Sequence, residues 1–210
     1  MNKNKSIEVV LVVDRSGSMM SMAKDMEGGM NSFISDQKNN PGKCNVTYYR
    51  FDTIIEKVLE NQDVKSVGEL KIEPRGGTAL FDAIGTAIQE VGQRLSKLNK
   101  SQRPDIVSLL IVTDGEENSS KEYTQAKIKE MIKHQEDVYK WEFVFLGANQ
   151  DAFSNGQSFG FAGNKSMTYD KGGVGNIMKN LSEQTSSLRD GTLTAGYSFS
   201  AADRASAVTK

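Results

Sequence analysis

The sequence predicts a doubly wound α/β domain with a mostly parallel sheet. Three observations carry that reading. Ile7 to Val13 and Ile106 to Val112 are short, almost wholly apolar runs rich in β-branched residues, as strands covered on both faces are. Amphipathic stripes at helical spacing lie between such runs, the cleanest being Leu80, Ile84, Ile88, Val91, Leu95 and Leu98. Strand and helix alternate along the chain, and right-handed crossovers then set helices on both faces of one sheet.

The elements follow in order. Ile7 to Val13 is the first strand. Met22, Met26, Met30, Phe33 and Ile34 share one face of a first helix, although Gly28-Gly29 inside it costs roughly 1 kcal/mol per glycine against alanine. A kink or a close packing contact would account for that pair. Asn45 to Phe51 and Thr53 to Leu59, joined by a tight turn at Asp52-Thr53, read as an antiparallel hairpin at a sheet edge. The long amphipathic helix comes next, then Ile106 to Val112. Ile128, Met131, Ile132 and Gln135 mark a third helix, Phe143 to Leu146 a short buried strand, and Ser166 to Tyr169 a weaker last one. Val174, Ile177, Met178, Leu181 and Leu188 mark a fourth helix. Residues 191–210 show little periodicity and are expected to form a partly ordered tail beside a domain of residues 5–190.

Composition excludes several classes. The net charge is -1 and the charged residues are well mixed, which gives no electrostatic case for nucleic acid or an anionic membrane. No apolar run approaches the roughly 18 residues of a membrane helix. The N-terminal lysines do not lead into a signal sequence, because the apolar run after them is short, contains Glu8 and ends in Asp14. Cys44 is the single cysteine and points to a reducing compartment, so a cytoplasmic location is expected. The sequons at Asn45, Asn118, Asn164 and Asn180 are then without meaning.

The chemistry concentrates at Asp14-Arg15-Ser16-Gly17-Ser18, directly after the first strand. An acid and two hydroxyls at alternating positions form an oxygen-only donor cluster, suited to Mg²⁺, with Mn²⁺ or Ca²⁺ as substitutes. In an open α/β sheet ligands bind beyond the carboxyl ends of the strands. Ile106 to Val112, expected beside the first strand, ends in Thr113-Asp114-Gly115 and delivers Asp114 to that edge. The loop Arg75-Gly76-Gly77-Thr78 before the long helix brings a hydroxyl on a backbone able to approach closely. The candidate ligands are therefore Asp14, Ser16, Ser18, Thr78 and Asp114. Five donors leave one position of a six-coordinate ion open, and a carboxylate from another molecule would fill it. Taken singly, Asp14 and Asp114 also read as helix or turn caps, and Thr78 as the N-cap of the helix that follows it.

At these residues the chain resembles the von Willebrand factor type A domain, in order and spacing, over about residues 5 to 190. That family's metal-ion-dependent adhesion site uses the positions occupied here by Asp14, Ser16, Ser18, Thr78 and Asp114. The resemblance implies a Rossmann-like fold with a central, mostly parallel sheet and one antiparallel edge strand. It implies a protein-binding module, not an enzyme, whose metal takes an acidic residue of its partner. The size matches stand-alone intracellular bacterial or phage members, which implies an AAA+ ATPase or a stress-system protein as partner. Two alternatives are a metal-dependent hydrolase or phosphotransferase at the same edge, and a scaffold subunit with a purely structural metal.

Other features carry less. Glu116 and Glu117 read as a solvated helix N-terminus, and Arg15 and Arg75 as solvated loop residues beside the site. Met19 or Met20 would give an adaptable contact near the metal. His134 sits in a polar helical stretch and suggests neither a ligand nor a base. Gly156-Gln157-Ser158-Phe159-Gly160 matches a nucleophile-elbow pattern, but it does not follow its strand directly and no histidine lies downstream, so a serine hydrolase is rejected.

Overall fold

The computed structural model describes residues 4–114, 116–148 and 152–208. The strands are β1 (Ile7–Asp14), β2 (Cys44–Phe51), β3 (Ile55–Asp63), β4 (Ile106–Thr113), β5 (Glu142–Gly147) and β6 (Ser166–Thr168). The helices are α1 (Ala23–Asn39), α2 (Leu80–Ser96), α3 (Gln125–His134), α4 (Ala152–Phe159), α5 (Val174–Asp190) and α6 (Ala201–Ser206). The strands form one sheet in the order β3-β2-β1-β4-β5-β6. All pairings are parallel except β2 with β3, the hairpin at the sheet edge.

Burial follows the covering of both faces. Every residue of β1 is buried. Val9, Leu11 and Val13 face Met26, Met30, Phe33, Met178 and Leu181 of α1 and α5. Val10 and Val12 face Ile84, Ile88 and Val91 of α2, in a second core that also takes Ile128 and Ile132 from α3. The strictly apolar run of β1 is thus the sequence that two helical layers require.

The glycine pair in α1 divides into two cases. A Cβ on Gly29 would stand 2.8 Å from Met178 Cγ and 3.1 Å from Val174 Cγ1, whereas one on Gly28 would meet nothing within 4 Å. Gly29 therefore marks the close approach of α1 to α5, and Gly28 has no packing reason.

Two expectations need correction. β3 begins at Ile55 and runs to Asp63, past the expected end at Leu59, because its last residues are polar ones on an edge strand. Residues 191–210 do not stand apart from the domain as far as they are described. Tyr197, Phe199 and Ala207 lie in the core beneath α5, and α6 carries a Ser200–Asp203 capping box. Asp170 donates its backbone N–H to Ala207 O at 3.0 Å, and Phe199 donates to Asn164 O at 2.8 Å. Among the described residues only the pair Tyr197 and Phe199 and the single Ala207 are buried core anchors of this segment, too few positions for a periodic signal. Among the described residues no helix is long and apolar enough to cross a membrane.

Candidate metal centre

Asp14 closes β1 and is fully buried, while Asp114 follows β4 directly and is half-buried. β1 and β4 are neighbours, with Val13 opposite Val112, so both acids leave the same sheet edge side by side. Beyond β1 the chain turns sharply, and the Asp14 carboxylate holds that turn by accepting the Ser16 N–H at 2.6 Å. The turn brings Ser16 Oγ within 2.9 Å of Ser18 Oγ. Ser18 Oγ in turn donates to Asp114 Oδ1 at 2.8 Å. Three of the expected ligands thus form one continuous chain of oxygens, and Asp14 anchors its start.

Thr78 arrives on a separate loop. Gly17 N donates to Gly76 O at 3.0 Å and Arg75 N to Arg15 O at 2.6 Å, which docks that loop onto the Asp14 turn. On its other side Thr78 O accepts from Asn118 N and Ser119 N, and Thr78 N donates to Asn118 Oδ1 at 2.9 Å. Thr78 is buried where the segments after β1 and β4 meet. A Cβ on Gly77 would stand 2.7 Å from Ser119 Oγ, so a larger residue there would push the Ser119 side chain aside. Gly115 of the Thr-Asp-Gly element lies outside the described residues.

Burial pushes the Asp14 carboxyl up to about 6, against hydrogen bonds from Thr113 and Ser16 that lower it. Burial also raises Asp114, which the Ser18 hydrogen bond partly offsets. A buried carboxylate without a cation is costly, and a cation is what would relieve it. The oxygen spacing tests whether an ion fits. Neighbouring ligands of an octahedral ion at about 2.0–2.1 Å lie roughly 2.9 Å apart, and the Ser16–Ser18 and Ser18–Asp114 contacts are 2.9 and 2.8 Å. Among the described residues no three His, Cys, Asp or Glu side chains cluster, so the donor set here is carboxylate plus hydroxyl, the hard-cation type.

Several neighbours differ from expectation. Arg15 is buried rather than solvated, and it is ion-paired to Asp52 at 2.9 Å and Glu56 at 2.8 Å. Arg75 keeps an exposed side chain but also pairs with Asp52, at 2.7 Å. Glu117 begins no helix of its own, since α3 starts only at Gln125. Its carboxylate instead accepts Phe81 N–H in the first turn of α2, and the N–H groups of Ser119 and Ser120. Met19 is buried and Met20 is exposed. Ser158 lies within α4 and not on a strand-to-helix elbow. Thr113, whose hydroxyl donates to Asp14 Oδ2 at 2.6 Å, was not singled out from sequence. Its signal was a lone hydroxyl at the end of an otherwise apolar strand.

The sheet order, the antiparallel edge and the strand-end site together are the fold of a von Willebrand factor type A domain. Solved structures agree. The chain superimposes on the type A domain protein of Catenulispora acidiphila with TM-score 0.59 and 15% identity, over 87% of this chain and 43% of that one. Proximal thread matrix protein 1 of the mussel byssus, solved with a zinc-occupied adhesion-site motif, gives 0.60 and 16%, over 89% of this chain and 47% of that one. Manganese-loaded TRAP protein of Plasmodium vivax gives 0.60 and 15%, over 84% of this chain and 73% of that one. The chain spans less than half the length of the first two. No family model matches the sequence, and no curated protein does.

Proposed function

We propose that this protein is a non-enzymatic binding module that holds Mg²⁺ through Asp14, Ser16, Ser18, Thr78 and Asp114, directly or through water. An acidic side chain of a protein partner completes the shell. The observation that carries the reading is the unbroken oxygen chain Ser16–Ser18–Asp114 at the spacing of cis ligands. Zinc in the adhesion-site motif of the byssus structure, and the manganese carried by the Plasmodium protein, support a divalent ion here. Mg²⁺ is preferred on donor chemistry, because all five side chains present hard oxygens.

The binding role rests on what surrounds the acids. The Asp14 carboxylate accepts the Ser16 N–H and the Thr113 hydroxyl, neither of which is a general base. A partner's carboxylate would fill the sixth position that the five side chains leave open on the ion. The partner is a protein such as an AAA+ ATPase or a stress-system component, and the setting is cytoplasmic, in keeping with the free buried thiol of Cys44.

The test is capture of partners from the native host in Mg²⁺ against EDTA. Binding lost in EDTA, restored by Mg²⁺ and absent in a folded Asp14→Ala protein is the expected result. Partners captured equally in both conditions would overturn the reading.

A further inference from the structure

We infer that Asp52 is a positioning residue, one that clasps the Thr78 loop to the Asp14 turn and so sets the geometry of the metal centre. The inference rests on the metal reading above, and adds a residue that none of the three motif elements contains.

Asp52 follows β2, the strand beside β1, and Phe51 pairs with Asp14. Its carboxylate therefore emerges one strand away from the site. It is 2% exposed, and its polar contacts to Arg15, Ile54, Arg75 and Ala79 run to loops. Oδ2 accepts Arg15 Nε at 2.9 Å and Arg75 Nε at 2.7 Å. Oδ1 accepts Ile54 N at 2.7 Å, with Thr53 Oγ1 at 3.4 Å, which closes the β2–β3 turn. The backbone O accepts Ala79 N at 2.8 Å, immediately after Thr78. Arg15 lies between the ligands Asp14 and Ser16, and Arg75 lies three residues before Thr78. One carboxylate oxygen thus joins the two loops that carry four of the five expected ligands.

The close fit requires a particular backbone. Gly76 has φ +68°, and a Cβ there would stand 3.3 Å from Asp52 Cβ. The left-handed turn at Gly76 lets the loop fold down over Asp52, so that Gly76 O receives Gly17 N. Asp52 also balances charge. Arg15 is 1% exposed, and its guanidinium is neutralised by Asp52 and Glu56. Without Asp52 the buried guanidinium would keep only Glu56, which it shares with Arg50, beside a site meant for another cation.

Position and charge separate cleanly at Arg75, whose side chain is 59% exposed. Arg75→Gln removes one arm of the clasp together with a positive charge. Charge alone predicts tighter metal binding in that variant, whereas a lost clasp predicts weaker binding. Asp52→Asn removes the ion pairs to both arms while keeping the shape.

The experiment measures Mn²⁺ affinity by calorimetry on the wild type, Asp52→Asn and Arg75→Gln, each confirmed folded by circular dichroism. Amide exchange at Gly17 and Arg75 is followed by NMR in metal-free protein. The expected result is an Mn²⁺ Kd raised about tenfold or more in Asp52→Asn and several-fold in Arg75→Gln, within the range for residues that orient metal ligands. Both amides should exchange at least about tenfold faster in both variants, since their hydrogen bonds join the two loops. Unchanged exchange, or an Arg75→Gln protein that binds Mn²⁺ as tightly as wild type or tighter, overturns the clasp. A wild type that binds no Mn²⁺ overturns the metal reading instead, and the exchange rates still decide whether Asp52 holds the loops.

Discussion

Thr113 Oγ1 donates to Asp14 Oδ2 at 2.6 Å, so the hydroxyl that ends β4 fixes the carboxylate that ends β1. The bond occupies one oxygen of Asp14 and lowers its pKa against the larger effect of burial. Thr113→Val keeps the β-branched shape of a buried strand residue and removes the donor. The expected outcome is an Asp14 pKa above the present value of about 6, together with divalent-metal affinity about tenfold weaker. Carboxyl ¹³C NMR titration and calorimetry measure the two effects, and an unmoved Asp14 titration would contradict the first.

Asp14 also predicts how metal-free stability depends on pH. Its folded pKa, about 6, stands above its ordinary value of 3.8, so the folded protein holds that proton more tightly than the unfolded chain. The protonated form is the better tolerated one. Stability from this residue is fully present below about pH 4 and is lost as pH rises to about 6, by roughly 3 kcal/mol. Glu56 works in the other direction, since the Arg50 hydrogen bond holds its carboxyl below the usual range. The comparison is therefore wild type against Asp14→Asn, by urea unfolding in chelator from pH 4 to 7. The wild type should lose stability relative to the variant across that window. Mg²⁺ should reverse the loss above pH 6, where proton competition ends.

The two glycines of α1 should respond oppositely to alanine. Gly28→Ala meets open space and should stabilise the protein by about 0.5–1 kcal/mol through helix propensity. Gly29→Ala drives a methyl against Met178 and Val174 and should destabilise it by about 1–3 kcal/mol through overpacking. Chemical denaturation of both variants checks the pair, and a stabilised Gly29→Ala protein would contradict the close α1–α5 contact.

The C-terminal segment should prove integral to the domain. A Cβ on Gly173 would stand 1.8 Å from Ala207 O, so Gly173→Ala should lift residues 192–208 from their seat. Phe199→Ala, which empties a core position, should cost about 3–5 kcal/mol. Limited proteolysis should then cut within that segment in both variants and leave the wild type whole. Equal resistance in all three would contradict its packing role.

The scaffold of the site was legible because its signals are local. The apolar runs of β1 and β4, the stripe of α2 and the sheet-edge rule led directly to Asp14, Thr78 and Asp114. What escaped was set by distant contacts. Arg15 looks like a solvated loop residue until Asp52 and Glu56 come to it from β2 and β3. Glu117 looks like the start of its own helix, yet the N–H it satisfies belongs to α2. Tyr197 and Phe199 are too few positions to mark an element, and their burial depends on the groove that α5 and the sheet make together. In each case the deciding partner lies far along the chain, where spacing has no reach.

The oxygen chain that joins Ser18 to Asp114 spans 96 positions of sequence. No hairpin, helix pair or half-sheet of this protein can assemble it, since β1 and β4 must already lie side by side. An ion at that junction would therefore contribute almost nothing to the folding transition state if the pairing of β1 with β4 forms late. Its effect would fall on the escape rate from the native state, slowing unfolding while leaving the speed of folding unchanged. The metal would then act as a kinetic latch, set only after the topology is complete.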